Sequence, residues 1–324
     1  MRAKYILKKS IYALITIFLI LVFNYFLFRV IPGDPLSMVM RNPKATDAAI
    51  QKTIEMYGLD KTWYEQFFIY LKDLVHGNLG MSFEFKRPVT EVIGPKILPT
   101  VILFGVSEIL AIIIGVFMGI ASAWRRGTKL DVTILSVSLF TYSMPVFWLG
   151  MILVAVFAVG MGLFPTGGIT SPGVAIMGGW NHISDMIWHG VLPVITMTVL
   201  IVGEYALTMR NTLIDVLGED YITTARAKGF SDKYILRKHA LPNAMLPMVI
   251  IIAINLGFVI GGAVQIETVF SWPGLGNLMY DALSARDYPV LQGLFLLITI
   301  CVVVANYIAD ISYSYIDPRV KNEA

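Results

Sequence analysis

The side chains best suited to chemistry are few and scattered in this chain. There is one cysteine, Cys301, in an apolar stretch, and there are four histidines, His76, His182, His189 and His239. A lone buried-type cysteine reads as a small packing residue, and the histidines lack metal-ligand spacing, so no metal site is expected. No His-Glu-x-x-His cluster or paired acid dyad occurs, which argues against an intramembrane enzyme and leaves no catalytic residue to assign. No G-x-x-x-x-G-K-[ST] loop is present to cradle nucleotide phosphates, so this chain is expected to bind no cofactor. What remains is a set of polar and acidic groups embedded in apolar sequence: Asn24, Glu108, Glu204, Asn255, Glu267 and Asp310. Such groups are costly in lipid and either tie helices together or line a wet path. Both readings stand for Glu204, Asn255 and Glu267, the candidates for a pathway or its mouth. Arg210 follows Glu204 but lies off its helical face, so the two are not expected to pair.

The elements that position these groups are apolar helices. The chain has 324 residues, 56% hydrophobic and only 15% charged, with mean hydropathy +0.71. A soluble domain carries about 25% charged residues, so the solvent here is lipid. About 20 apolar residues cross a bilayer. About six stretches meet that length: Ser10–Phe28, Ile97–Ala123, Val132–Val159 (long enough to tilt), Trp188–Met209 (weakened by Pro193 and Glu204), Ala244–Ile266 and Val290–Ile311. The first has Lys8 and Lys9 before it, as a signal peptide would. Its apolar region is too long for one and no small-residue cleavage site follows, so it is read as a retained helix. Gly115 and Gly119, and Gly257 and Gly261, have the spacing of close helix packing, with Gly262 beside them. The fold class is therefore all-α, integral to the membrane.

Lys and Arg in the short loops give orientation. One side holds Arg2, Lys4, Lys8 and Lys9, then Arg125, Arg126 and Lys129, then Arg210, Arg226, Lys228, Lys233, Arg237 and Lys238, and finally Arg319 and Lys321. On the other side the segment between the third and fourth spans has no Lys or Arg, and that between the fifth and sixth has only Arg286. Both termini are accordingly cytoplasmic. The formal net charge of +3 is too small to argue for nucleic acid.

Two loops are too elaborate to be connectors. The external segment 31–95 carries one helical pattern at Ala49, Ile50, Ile54 and Tyr57, after Thr46-Asp47 and before Gly58. A second runs from Thr62 through Val75 to a stop at Gly77. It reads as a helical cap on the outer membrane surface or as a platform for an external partner. The cytoplasmic loop between the fourth and fifth spans is expected to form a short helix capped by Asp220, running through Thr224, Ala225 and Ala227, and stopped by Gly229. A second is expected from Ser231 to His239, with Pro242 and Pro247 marking entry into the next span. A short surface helix bearing small residues can lie in a groove of another protein; the same loop also obeys the positive-inside rule as a plain basic connector.

At this loop the sequence resembles the cytoplasmic Glu-Ala-Ala loop of permease subunits of type I ABC importers. Ala225 and Gly229 match the pattern, and Leu241-Pro242 fall at the right distance, whereas Thr223, Thr224 and His239 depart from it. The wording Asp220-Tyr221 followed by Thr224-Ala225-Arg226-Ala227-Lys228-Gly229 is similar to the peptide and nickel branch. Tyr57-Gly58-Leu59-Asp60, Gly77-Asn78-Leu79-Gly80-Met81-Ser82, Glu267-Thr268-Val269-Phe270-Ser271-Trp272-Pro273-Gly274-Leu275-Gly276 and Asp317-Pro318-Arg319 resemble the first permease subunit of that branch, in order along nearly the whole chain. The resemblance implies a type I importer permease fold with a helical external insertion. Its parts would be an N-terminal helix 1–30, the external segment 31–95, a five-helix core 96–313 with a coupling loop 211–242, and a tail 314–324. It further implies a multi-pass location in a prokaryotic plasma (inner) membrane, a second permease subunit, two ATPase subunits carrying ATP and Mg, and an external binding protein. The residues implied to meet an ATPase are Asp220, Tyr221, Thr224, Ala225, Arg226, Ala227, Lys228, Gly229, Leu241 and Pro242.

The function implied is that of half a translocation pathway in an ATP-driven, binding-protein-dependent importer of di- or oligopeptides. The same machinery carrying oligosaccharides or nickel complexes is the alternative. An ion-coupled secondary transporter would show inverted repeats with paired broken helices, and no such repeat is visible in the sequence.

Overall fold

A computed structural model describes residues 2–30, 50–51, 54, 60–174, 178–258 and 264–316. The described residues form helices: α1 (Arg2–Val30), α2 (Trp63–Val75), α3 (Val89–Trp124), α4 (Lys129–Tyr142), α5 (Val146–Leu153), α6 (Gly179–Leu217), α7 (Asp220–Ala227), α8 (Asp232–Ile235), α9 (Leu241–Phe258), α10 (Val264–Val269), α11 (Leu275–Ala285) and α12 (Tyr288–Ile316). Among the described residues five helices are long and apolar enough to cross a membrane: α1, α3, α6, α12 and the stretch Asp232–Asn255, which runs from α8 through most of α9. A sixth crossing depends on α4 with α5, which are bent by 99° at their junction. The tilted single helix expected over Val132–Val159 is therefore two helices. The break falls at Ser143-Met144-Pro145, where proline lacks the N–H that would continue the helix and its ring disfavours helical backbone before it. Beyond α5 the chain runs on through wider π-helical turns, Val154–Gly160.

The fourth span is longer than expected, because α6 runs through Pro193 and well past Met209. It is also the central helix. Gly115 and Gly119 of α3 lie against it so closely that a Cβ on Gly115 would fall 2.5 Å from that of Tyr205, and one on Gly119 2.6 Å from that of Met209. The spacing read from the sequence thus does pack two backbones together. Gly261 and Gly262 lie outside the described residues.

α1 is peripheral. It is fixed to α12 by the Lys9–Asp310 ion pair at 2.7 Å, by a Ser10–Tyr307 hydroxyl contact at 2.7 Å, and by Asn24 Nδ2 donating to the Gln292 carbonyl at 3.1 Å. Asn24 and Asp310 therefore serve helix association. On the external side, α2 is capped at Thr62 by Glu65, whose carboxylate accepts from the Thr62 N–H at 2.9 Å and its hydroxyl at 2.8 Å. These bonds hold the exposed Glu65 carboxyl below its ordinary range. The helix stops at Gly77, in left-handed backbone at φ 74°. Its N–H bonds the Leu74 carbonyl and that of Asn78 bonds the Asp73 carbonyl, the paired closure that glycine permits. The earlier helical pattern around Ala49 to Gly58 lies outside the described residues, apart from Ile50, Gln51 and Ile54.

Downstream, Ser82, Phe83 and Glu84 are clasped by the buried carboxylate of Asp287, which caps α12. The Ser82 hydroxyl donates to it, as do the N–H groups of Phe83 and Glu84 at 3.1 Å. The Gly77–Ser82 segment is thereby pinned to the outer end of the last span, above an apolar cluster of Val89, Val92, Ile93, Leu275, Leu278 and Leu294.

Candidate functional site

The cytoplasmic loop folds as two short helices packed under the spans. Glu219, in extended backbone, is the N-cap of α7, and Asp220 is its first helical residue. The cap expected at Asp220 is thus displaced by one position. Asp220 still complements the positive end of the helix. At the other end Gly229 has φ 82°. Its N–H bonds the Arg226 carbonyl at 2.9 Å and the Phe230 N–H bonds the Ala225 carbonyl at 3.4 Å. A Cβ there would meet nothing within 4 Å, so glycine is required by the left-handed backbone and not by crowding.

α7 has two unlike faces. Ile222 and Ala225 are buried, while Asp220, Tyr221, Thr224, Arg226, Ala227, Lys228 and Gly229 are exposed. The buried pair belongs to one continuous apolar core with Ile235 and Ala240 of the loop, Met209 and Leu213 of α6, Ala244 and Met248 of α9, and Ala111 and Ala123 of α3. Complete burial of Ile222 stabilises the docked loop by about 2 kcal/mol.

α8 ends at Ile235 and continues without a break through π-helical turns, Leu236–Ala240, into α9. The separate helix expected over Ser231–His239 is therefore the wide-turned entry to the fifth span. Pro242 is exposed where those wide turns pass into α9, so one backbone bond of the continuous helix is missing at that junction. Leu241 is partly buried beneath the apolar core. Beside α7 the Phe230 and Tyr234 rings stack at 4.9 Å, with His239 edge-on to Tyr234 at 5.6 Å. Asn243 donates to the Tyr221 hydroxyl at 3.0 Å and to the His239 carbonyl at 2.9 Å, tying α7 to α9. The sequence reading had not singled out Phe230 and Tyr234.

Directly above the loop, Arg210 makes a two-pronged contact with Asp131 of α4, Nε to Oδ1 at 2.7 Å and Nη2 to Oδ2 at 2.9 Å. The Ser122 hydroxyl of α3 and the Gly127 N–H, at 2.9 Å, complete the carboxylate's donors. Arg210 thus joins α6 to the α3–α4 turn, as its separation from Glu204 on the helix requires. The charge of Asp131 is satisfied four times over, although the residue is buried.

Within the spans, Glu204 and Asn255 come together with Tyr205 and Glu108. Asn255 Nδ2 donates to the Tyr205 hydroxyl at 3.0 Å and approaches Glu204 Oε2 at 3.5 Å. The Tyr205 hydroxyl in turn bonds Glu108. The result is a polar chain, Glu108–Tyr205–Asn255–Glu204, crossing α3, α6 and α9. Its Glu108 end is sealed, while Glu204 and Asn255 are half-buried.

Glu267 is set apart from that chain. It is buried in α10, where it accepts the Thr100 hydroxyl at 2.7 Å and the Asn277 N–H at 2.9 Å. Thr100 accepts the Leu275 N–H at 2.7 Å, and Trp272 Nε1 donates to the Pro99 carbonyl at 3.0 Å. The carboxylate therefore caps the start of α11 and ties it to α3. Gly274 and Gly276 leave no room for a Cβ beside it, which explains both glycines in this turn.

The comparisons agree with this architecture. Residues 111–322 match the family described as binding-protein-dependent transport system inner membrane component, and residues 2–103 match the N-terminal membrane component of such systems. The chain is 37% identical over 320 residues to the oligopeptide transport system permease protein AppB of Bacillus subtilis, covering 98% of this chain and 99% of that one. It is 34% identical over 317 residues to the glutathione transport system permease protein GsiC of Escherichia coli, covering 98% of each. The fold is shared with the MetNI methionine ABC transporter in an inward-facing conformation, at TM-score 0.55 and 20% identity over 70% of this chain and 97% of that one. The chain belongs to the inner membrane component family of binding-protein-dependent transport systems. It is a multi-pass bacterial inner-membrane permease subunit of an ABC importer.

Proposed function

We propose that this chain forms one half of a translocation pathway for di- or oligopeptides, and that α7 with Gly229 is the element through which a partner ATPase drives it. The relatives named for oligopeptide and glutathione transport support a peptide substrate. The observation that carries the coupling role is the division of α7: one face is exposed and free to enter a groove, and the other is embedded in the core shared by α3, α6 and α9. A push on the exposed face reaches those spans through packed side chains, not through a flexible linker. The exposed residues Asp220, Tyr221, Thr224, Arg226, Ala227, Lys228 and Pro242 would meet the ATPase, with the buried Ala225 and the partly buried Leu241 seating the loop in the core instead. Two ATPase subunits would hold the ATP and Mg, a second permease would supply the other half of the path, and an external binding protein would deliver the peptide. Glu204 and Asn255 would border the path, and Glu267 would shape its outer turn.

Gly229→Val tests the coupling. A β-branched residue in left-handed backbone is strained by about 1–2 kcal/mol, enough to distort the end of α7 while leaving the spans intact. The expected result is a chain that inserts and retains its partners but has lost ATP-driven peptide uptake in proteoliposomes. Uptake at the unsubstituted rate, with the ATPase still bound, would refute the role.

A further inference from the structure

Along α2 runs an apolar stripe that stays largely exposed among the described residues. Tyr64, Phe68, Leu71 and Val75 recur at the spacing of one helix face. Tyr64 is 49% exposed, Phe68 66% and Val75 85%. Away from the stripe the helix is spent on the molecule itself: Gln66 is buried and donates to the Lys61 carbonyl at 2.8 Å, and Phe67 packs on Tyr25 with ring centres 5.0 Å apart. The neighbouring edge is charged, with Glu65 and Lys72 both exposed.

The depth of this helix is set by α1. The Tyr25 hydroxyl donates to the Trp63 carbonyl at 2.9 Å, and the Phe26 and Trp63 rings stand 5.9 Å apart. Tyr25 and Phe26 lie in the last turn or two of the apolar stretch Tyr5–Phe28, so α2 begins where the outer end of a membrane span stops. The exposed side of α1, with Phe23 at 65% and Phe26 at 41% exposure, runs up to Trp63, itself 64% exposed. The exposed aromatic surface of α2 therefore continues the lipid-facing surface of α1.

We infer that α2 lies in the outer headgroup region of the bilayer, with Tyr64, Phe68 and Val75 inserted among lipid and Glu65 and Lys72 turned toward water. Aromatic rings favour that depth because an apolar body and a polar tip are both satisfied there. A helix with one apolar and one charged face binds such an interface along its length. The external segment is then anchored to lipid, and its outward surface is left to other contacts.

Spin labels read this directly. In the intact importer in lipid nanodiscs, with Cys301→Ser as background, single labels are placed by Phe68→Cys, Val75→Cys and Lys72→Cys. The ratio of collision with molecular oxygen to collision with a water-soluble nickel chelate should be several-fold higher at positions 68 and 75 than at 72. Equal ratios at all three positions would put the stripe in water and overturn the inference. So would labels at 68 and 75 that are immobilised and shielded from both reagents, which would show a protein partner on this face. The two stripe positions are read independently, so failure of one variant to assemble leaves the other to decide.

Discussion

Tyr205 is the joint of the intramembrane polar chain: fully buried on α6, it bonds Glu108 of α3 and accepts from Asn255 of α9. Tyr205→Phe keeps the ring and removes the hydroxyl, taking a partner from the buried Glu108 and leaving Asn255 with Glu204 alone. It should lower stability by about 1–3 kcal/mol, measured as thermal unfolding in detergent with the assembly otherwise intact. Arg210→Gln should cost more, roughly 3 kcal/mol, since it strands the buried Asp131 carboxylate. Asp131→Asn in the same background should restore part of the loss, as a double-mutant cycle would register. Glu108, Glu204 and Asn255 were legible in the sequence because a polar residue in an apolar span is conspicuous. Tyr205 was not, because tyrosine is ordinary in a span and only its hydroxyl's partners give it a role. Asp131 was hidden differently: its partner Arg210 lies 79 positions away, and no local pattern announces such a pair.

At the scale of the element, glycines in one helix do different work. Gly115 of α3 abuts the Tyr205 Cβ and the Val202 carbonyl, whereas a Cβ on Gly105 would meet nothing within 4 Å. Gly115→Ala should therefore destabilise the chain by about 1–3 kcal/mol through overpacking. Gly105→Ala should be neutral or stabilising by up to about 1 kcal/mol through helix propensity. Folded yield and thermal midpoint of the two variants check both. The small-residue spacing announced the first contact; the freedom at Gly105 needed the neighbouring helix in place. The ends of α2 and α7 were readable because capping residues and left-handed glycines leave local signatures. The α4–α5 bend was not read, since Val132–Val159 carries no charged residue and its length alone masks a break at Pro145. The continuity of α8 with α9 was likewise missed, because Pro242 looks like the start of a new helix and the wide turns Leu236–Ala240 that bridge to it leave no local signature.

For the whole molecule, the sequence carried the crossings, the orientation and the family resemblance, and the packed core adds how they are joined. One apolar cluster unites α7 with α3, α6 and α9, while the outer turn is organised separately by Glu267, Thr100 and Trp272. Motion imposed at the cytoplasmic loop should move those three spans together, with α1 carried through its ties to α12 and α2. The most direct measurement is site-specific photo-crosslinking in the assembled importer, with a photoreactive residue at Thr224, on the exposed face of α7, and a control at Trp180, exposed at the external start of α6. Position 224 should crosslink to an ATPase subunit and position 180 should not. An importer fully active in uptake whose position 224 crosslinks to no ATPase would contradict it.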